Sequence, residues 1–391
     1  MVQERERERE RERENRASSF GLIYASEANI EDDYILHVIR EYYGLQSVDY
    51  NMYRSQIGLQ GYICQVISRF LCAGKTVTSL LLLRDMLCSV CCALMALVAM
   101  WISYVAGKKY NFKLAIAFFL TFLLSPWVKS FAPNLYWVEF TWYVPMLLGM
   151  IMSLDYIKFD KLWFYVLVFL AVGIKSACGY EYITTVTLGL ILFPLVDLFT
   201  VDKSERKKVF AVIFKLGISA LVGFFAAIAV HALMRGGGNI IAGIKDIYEK
   251  DVMRRTVGIY KFDPADGQTV SNYEQYIETG AFYNLRLYFN FHTFVLDGIS
   301  KEFFIPLTLI ALVFFLFSSR KAEKRWELML FAMSFLCTVS WFVLAKEHSY
   351  IHTHMNYVLW YFGFVQMLVY GLISLIDKTT KRLRTIDNNI P

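Results

Sequence analysis

Three short polar clusters carry residue types that could do chemistry. Glu31, Asp32 and Asp33 stand in a row, with His37 four residues beyond Asp33. Lys175 precedes Gly179-Tyr180-Glu181, and Lys346-Glu347-His348 runs on to His352 and His354. Consecutive carboxylates repel one another, so at least one holds its proton more tightly unless a cation intervenes. Such a row suits a general base or a divalent-metal site, and His37 shares a helical face with Asp33. The competing reading is a solvated helix N-terminus whose acids meet the helix dipole. Lys175 and Glu181 flank a turn: they either pair to hold two helices together, or contact a phosphate and a hydroxyl respectively. The HxxxHxH spacing of His348, His352 and His354 can ligate a transition metal. Glu347 is the one acid beside it, however, so phosphate or hydroxyl binding is the stronger reading and plain interfacial histidines the alternative. Glu139 lies among Tyr136, Trp137, Trp142 and Tyr143. Those rings read first as an aromatic belt at a membrane boundary, and second as faces on which sugar rings stack.

The elements that must position these groups are membrane helices. Hydrophobic residues make up 57% of the 391 and charged residues only 19%, with a mean hydropathy of +0.42; that balance excludes a soluble domain of this size. A bilayer core takes roughly 20 apolar residues per helix. About nine segments qualify: 82–106, 113–131, 137–154, 162–176, 182–199, 209–233, 304–318, 327–345 and 356–376. The expected fold is therefore all-α, a polytopic membrane protein with interfacial helices on its outer face.

Basic residues set the orientation. Lys108, Lys109 and Lys113 follow the first span; Lys203, Arg206, Lys207 and Lys208 precede the sixth; Arg320, Lys321, Lys324 and Arg325 separate the seventh and eighth; Lys378, Lys381, Arg382 and Arg384 form the tail. All four groups fall on one side, expected to be cytoplasmic in a plasma membrane, and the three polar clusters fall on the other. Four regions follow: a low-complexity tail (1–19), an extracytoplasmic acidic loop with interfacial helices (20–81), a helical body with a large outer loop at 234–303 (82–376), and a basic cytoplasmic tail (377–391).

Within 20–81, residues 33–45 and 55–72 read as helices. Ile63, Val66, Ile67, Phe70 and Leu71 share one face, as in a helix lying in the interface plane. Nothing before residue 20 is apolar enough to carry this region across, and Ser19 to Ala25 reads as the last turns of a membrane helix otherwise absent or replaced. The Glu-Arg alternation from Glu4 to Glu14 is nearly charge-neutral, which argues against a nucleic-acid arm. Cys88, Cys91 and Cys92 fall inside a span and read as small packing residues. No glycine-rich phosphate loop, nucleophile elbow or HExxH is present, and Gly236-Gly237-Gly238 reads as a flexible exit from the sixth span.

The segments Ile30-Glu31-Asp32-Asp33-Tyr34, Tyr136-Trp137-Val138-Glu139, Gly179-Tyr180-Glu181-Tyr182 and His348 to Tyr357, on a many-spanning body, resemble a bacterial subfamily of C-type (GT-C) glycosyltransferases. The resemblance covers about residues 23–376 and departs from the family at the missing first helix. It implies sugar transfer from a polyprenyl-phosphate carrier to an envelope glycan or lipid acceptor. Asp32 or Asp33, supported by Glu31, would be the general base on the acceptor hydroxyl. Lys175, Lys346 and His348, with Arg254 or Arg255, would face the leaving phosphate. The family leaves a divalent metal open, and no metal ligand is assigned. Two other classes compete: an envelope polysaccharide polymerase, ligase or flippase, and a small-solute transporter. A polymerase or ligase should lean on outer-loop arginines more than on a first-loop acidic pair; a transporter should show internal repeats and broken helices near mid-membrane.

Overall fold

The computed structural model describes residues 24–26, 50–52, 55–72, 77–256, 280–289, 294–296, 299–351 and 355–387. Among these the chain is helical, apart from two short antiparallel ribbons: β1 (Tyr24–Ser26) with β2 (Tyr50–Met52), and β3 (Phe294–Leu296) with β4 (Ile299–Ser300). The longer helices are α1 (Leu59–Cys72), α2 (Val77–Lys109), α3 (Phe112–Leu124), α4 (Pro126–Phe131), α5 (Phe140–Met152), α6 (Leu162–Cys178), α7 (Ile183–Thr200), α8 (Lys203–Arg235), α9 (Ile240–Ile247), α10 (Ala281–Phe289), α11 (Phe304–Ser318), α12 (Arg325–Leu344), α13 (Lys346–Ile351) and α14 (Phe364–Asp387).

A helix stands on each of the nine apolar segments. Four stretches, Leu82–Lys109, Ile183–Thr200, Lys203–Arg235 and Ala322–Leu344, are long and apolar enough to cross a membrane. Phe112–Leu124, Phe140–Met152, Leu162–Cys178 and Phe304–Ser318 are shorter apolar helices.

Two of the expected segments are divided. Residues 113–131 break into α3 and α4 at Ser125-Pro126: Pro126 opens the second helix, and the Ser125 hydroxyl accepts from the Val128 amide at 3.0 Å. Proline disfavours helical backbone at the preceding residue, so the break is local in origin. Residues 356–376 begin instead as a tight 3₁₀ segment, Asn356–Tyr361, and turn into α14 through Gly363 at φ +109°. Tyr24 and Ala25, expected in a last helical turn, are extended because they pair with Met52 and Asn51.

The helices approach closely where glycine removes the side chain, as in membrane bundles generally. A Cβ on Gly149 of α5 would overlap the Leu190 carbonyl of α7, and one on Gly223 of α8 would lie 3.1 Å from the Gly173 amide nitrogen of α6. Inward-facing side chains form an apolar core that includes Trp142, Tyr143, Tyr182, Trp341, Trp360 and Phe362. Outward, α8 exposes Phe210, Phe214, Ile218, Leu221 and Phe225, a stripe of helical spacing with no aqueous rationale.

The two ends of the bundle differ in kind. At one, Lys109 bonds Asp197 and the Ser153 carbonyl, both at 2.8 Å, and the Tyr156 hydroxyl donates to Asp197 at 2.6 Å. Tyr110 stacks on Trp326 at 4.2 Å, and Lys113 bonds Asp377. Members of the predicted basic groups meet at this end. The candidate residues gather at the other, where α5, α7 and α13 begin and α6 and α12 finish.

Candidate functional site

α1 lies against the candidate end. Its Gln60 amide group donates to the Tyr136 carbonyl at 2.7 Å and to the Cys178 carbonyl at 3.0 Å. One side chain thus ties the segment before α5 to the end of α6. Those two donations fix which way the amide points, and its Oε1 is buried without a hydrogen-bond partner. Gln56, just before α1, is buried with its Oε1 in the same condition. The apolar residues Ile63, Val66, Phe70 and Leu71 are exposed on the opposite side. α1 therefore turns polar and small residues toward the protein and its hydrophobic stripe outward, the reverse of a helix on a soluble core.

Beneath α1 the turn from α6 to α7 places Lys175, Tyr180 and Glu181. Lys175 is 1% exposed; its Nζ donates to the Gly179 carbonyl at 2.6 Å and lies 5.7 Å from the Trp142 ring centre. Gly179 is extended, so its backbone would suit any residue. Space is what demands glycine: a Cβ there would overlap Glu181 Oε2 and sit 2.8 Å from Gln56 Oε1. Glu181 therefore folds back over Gly179, close to Gln56. Tyr180 packs its ring 5.5 Å from that of His231 on α8, with its hydroxyl 3.1 Å from His231 Nδ1.

Glu139 precedes α5 and is fully buried, with neither carboxyl oxygen hydrogen-bonded. A buried carboxyl without partners costs several kcal/mol to keep as an anion, so its place calls for a donor or cation. The residue before it, Val138, sits at φ +41°, and the residue after Glu181, Tyr182, at φ +58°. These two are the non-glycine residues in the left-handed region among the described residues, and each adjoins one of the two acids. That conformation costs roughly 1–2 kcal/mol per residue.

His348 joins the same assembly through rings. It meets Trp341 edge-on at 5.6 Å; Trp341 meets Tyr182 at 5.2 Å; Tyr182 meets Trp142 at 5.2 Å; Lys175 lies beyond. Trp137 adds an edge contact to Trp142 at 5.7 Å. Trp137, Trp142 and Tyr143 are all buried, so they are neither the belt nor the open stacking faces expected of them; they form the wall that holds the charged groups. Lys346 pairs with Glu347 at 3.3 Å, while Asn284 of α10 donates to the Lys346 carbonyl at 2.7 Å. Burial raises the Glu347 carboxyl above the ordinary glutamate range, and the Lys346 ammonium partly offsets it.

Lys175, Tyr180, Glu181, Glu139, Lys346 and His348 thus lie at one end of the bundle. Glu31, Asp32, Asp33, His37, His352 and His354 lie outside the described residues, as do the side chains of Arg254 and Arg255. Gln56, Gln60, His231, Trp341 and Asn284 belong to the site's surroundings and were not singled out from sequence. Their one prior signal was Gln60, polar on a helix whose other face is apolar. Among the described residues no three His, Cys, Asp or Glu side chains stand together as a metal site. No protein-family model, curated protein or solved structure matches the chain.

Chemically, the assembly offers two acids, two amide oxygens without partners, an ammonium bonded to a backbone carbonyl, and an imidazole. An acceptor-rich interior of this kind suits a ligand that brings hydroxyl or ammonium donors.

Proposed function

We propose that the chain is a membrane glycosyltransferase that moves a sugar from a polyprenyl-phosphate carrier to an extracytoplasmic envelope acceptor, a glycan or a lipid. The observation that carries this reading is the gathering of Lys175, Glu181, Glu139 and His348 beneath an amphipathic helix, at the bundle end opposite the basic clusters. The nine helices would be the membrane spans, α1 an interfacial helix, and the C-terminus cytoplasmic in the plasma membrane. A carrier whose tail lies in the lipid would present its phosphate and sugar at this boundary.

The residues divide the work by charge. The acceptors Glu181, Glu139, Gln56 and Gln60 receive sugar hydroxyls. Lys346 and His348, with Lys175 behind them, face the phosphate as negative charge grows on it. Asp32 or Asp33 takes the proton from the acceptor hydroxyl, whose oxygen attacks the anomeric carbon. The bond from that carbon to the phosphate oxygen breaks, and the polyprenyl phosphate leaves with the electron pair. Direct displacement needs no nucleotide, which accords with a sequence that carries no nucleotide-binding loop.

The test is transfer of radiolabelled sugar from polyprenyl-phosphate donors in proteoliposomes containing the full chain. Wild type is compared with Asp32→Asn, Asp33→Asn, Glu181→Gln and Lys175→Met at matched folded protein. Carrier-dependent labelling, abolished by Glu181→Gln and by one aspartate substitution, is expected. Labelling indifferent to all four, or none with any carrier, sinks the reading.

A further inference from the structure

Beyond α8 the sequence reads as a flexible exit into an outer loop, yet the structure makes a tight reversal there. Gly237 and Gly238 adopt φ of +57° and +93°, which glycine alone takes readily. The Asn239 side chain then caps α9, accepting from the Ile241 and Ala242 amides at 3.1 and 3.2 Å. α9 packs directly on the end of α8, since a Cβ on Gly243 would overlap the Ala232 carbonyl. Helical backbone continues past α9 to Thr256.

This segment has two distinct faces. Gly243, Ile247 and Asp251 are buried, and Arg235, 5% exposed, bonds both Asp246 (2.7 Å) and Asp251. Arg235 and its two aspartates therefore form a paired network on the side that faces the protein. Ile241, Ile244, Tyr248 and Val252 recur at three- and four-residue steps on the outside and are all exposed, Ile241 by 76%. The stripe does not stand alone: α8 carries its own exposed apolar residues, including Val230 and Leu233, up to the turn. Lys245 lies beside it in an exposed position, where its ammonium group would meet lipid phosphates, and Lys250 pairs with Asp246 at 3.1 Å.

We propose that residues 240–256 form an in-plane membrane helix, whose Ile241, Ile244, Tyr248 and Val252 stripe is seated in the lipid of the leaflet next to the candidate site. The occupant is lipid because the stripe continues the apolar surface of a helix long enough to span the bilayer. An exposed apolar stripe beside exposed polar and charged residues is the arrangement an interfacial helix requires. Its function is to fix the outer end of α8, and with it His231, at a set depth. The inference does not rest on the transfer reading and is tested without an activity.

The experiment uses the full chain in lipid nanodiscs, carrying the photo-crosslinker benzoylphenylalanine in place of Ile241, Ile244, Glu249 or Phe119. Phe119 lies exposed on α3 and calibrates the yield for a lipid-facing position; Glu249 is exposed on the polar side of the segment. After illumination, mass spectrometry counts adducts with lipid and with protein. Lipid adducts at 241 and 244, in yield comparable with 119 and lost at 249, are expected. Adducts joining 241 or 244 to a second copy of the chain overturn the proposal, as does a yield at those positions no higher than at 249.

Discussion

Replacing Gly179 with alanine separates the positioning of Glu181 from the stability of the bundle. The backbone at 179 is extended, so alanine brings no torsional strain. Its methyl group would stand 2.8 Å from Gln56 Oε1 and closer still to Glu181 Oε2. Ordinary contact lies near 3.4 Å, so the amide oxygen must retreat by about 0.6 Å and the carboxylate by on the order of 1 Å. Both atoms end flexible side chains, which confines the cost of folding. Overpacking costs about 1–3 kcal/mol, while the lower entropy of the unfolded chain returns about 0.4–1 kcal/mol. The net stability change is therefore about 1–2 kcal/mol, within reach of an intact fold. Catalysis is less forgiving, because a 1 Å misplacement costs on the order of 100-fold in rate. The expected variant is folded and about 100-fold slower in sugar transfer. Thermal unfolding in detergent and transfer in proteoliposomes measure the two quantities on one preparation. Full transfer activity with an unchanged unfolding midpoint would show that the Glu181 carboxylate is not part of the site.

Three further outcomes follow from other parts of the molecule. Asp197→Asn leaves the Lys109 ammonium facing an uncharged amide at the basic end, so the unfolding free energy should fall by about 3 kcal/mol, whereas transfer per folded molecule stays unchanged; loss of transfer alone would contradict the division between the two ends. Gly149→Ala drives a methyl group into the Leu190 carbonyl of the neighbouring helix, and because backbone cannot swing aside, destabilisation of about 3 kcal/mol or more is expected by the same melting assay. Glu347 holds its proton more tightly in the folded chain than the unfolded value of about 4.3. Its contribution is thus fully present below that pH and is lost as pH rises through the folded value; wild type should lose stability relative to Glu347→Gln across that rise, and a difference that stays flat with pH would refute the assignment.

The helices were legible because the rule that writes them is local. Runs of apolar residues about one bilayer long stand out without knowledge of any partner, and Phe304–Ser318 ends where Ser319, Arg320 and Lys321 begin. The Ser125-Pro126 break was also written locally, yet a continuous apolar run concealed it. The surroundings of the site were a different matter. Gln60 bonds a carbonyl 118 positions away, and Trp341 reaches Tyr182 and His348 from either side; nothing in the periodicity of either segment encodes such a meeting. Trp137, Trp142 and Tyr143 suggested a membrane belt because aromatic residues near a span boundary usually serve as one. Their burial follows from rings contributed by distant segments, Tyr182 and Phe362 among them. One hydrogen of Lys175 goes to the Gly179 carbonyl of its own turn, a bond that the spacing of charged residues did not announce. For α1 the periodicity supplied both faces, read as a helix in the interface plane, and the structure turns the stripe of Ile63, Val66 and Phe70 outward.

How Glu139 is held favours a binding role over a structural brace. Acids that serve only to brace a fold are usually placed by the bonds their oxygens make, and losing those bonds loosens them. At Glu139 the backbone does the placing, and Glu181 adjoins a left-handed residue of the same kind. Val138, beside Glu139, packs in a cluster with Cys64, Cys91 and Cys178, and Tyr182, beside Glu181, is clamped between Trp142 and Trp341. Left-handed torsions at a valine and a tyrosine persist only where such packing over-determines them, and they concentrate where geometry serves function. The consequence is visible at Glu139, whose carboxyl oxygens are positioned yet make no hydrogen bond. Rigid placement with the oxygens left over is what a binding group requires. A brace would have used them.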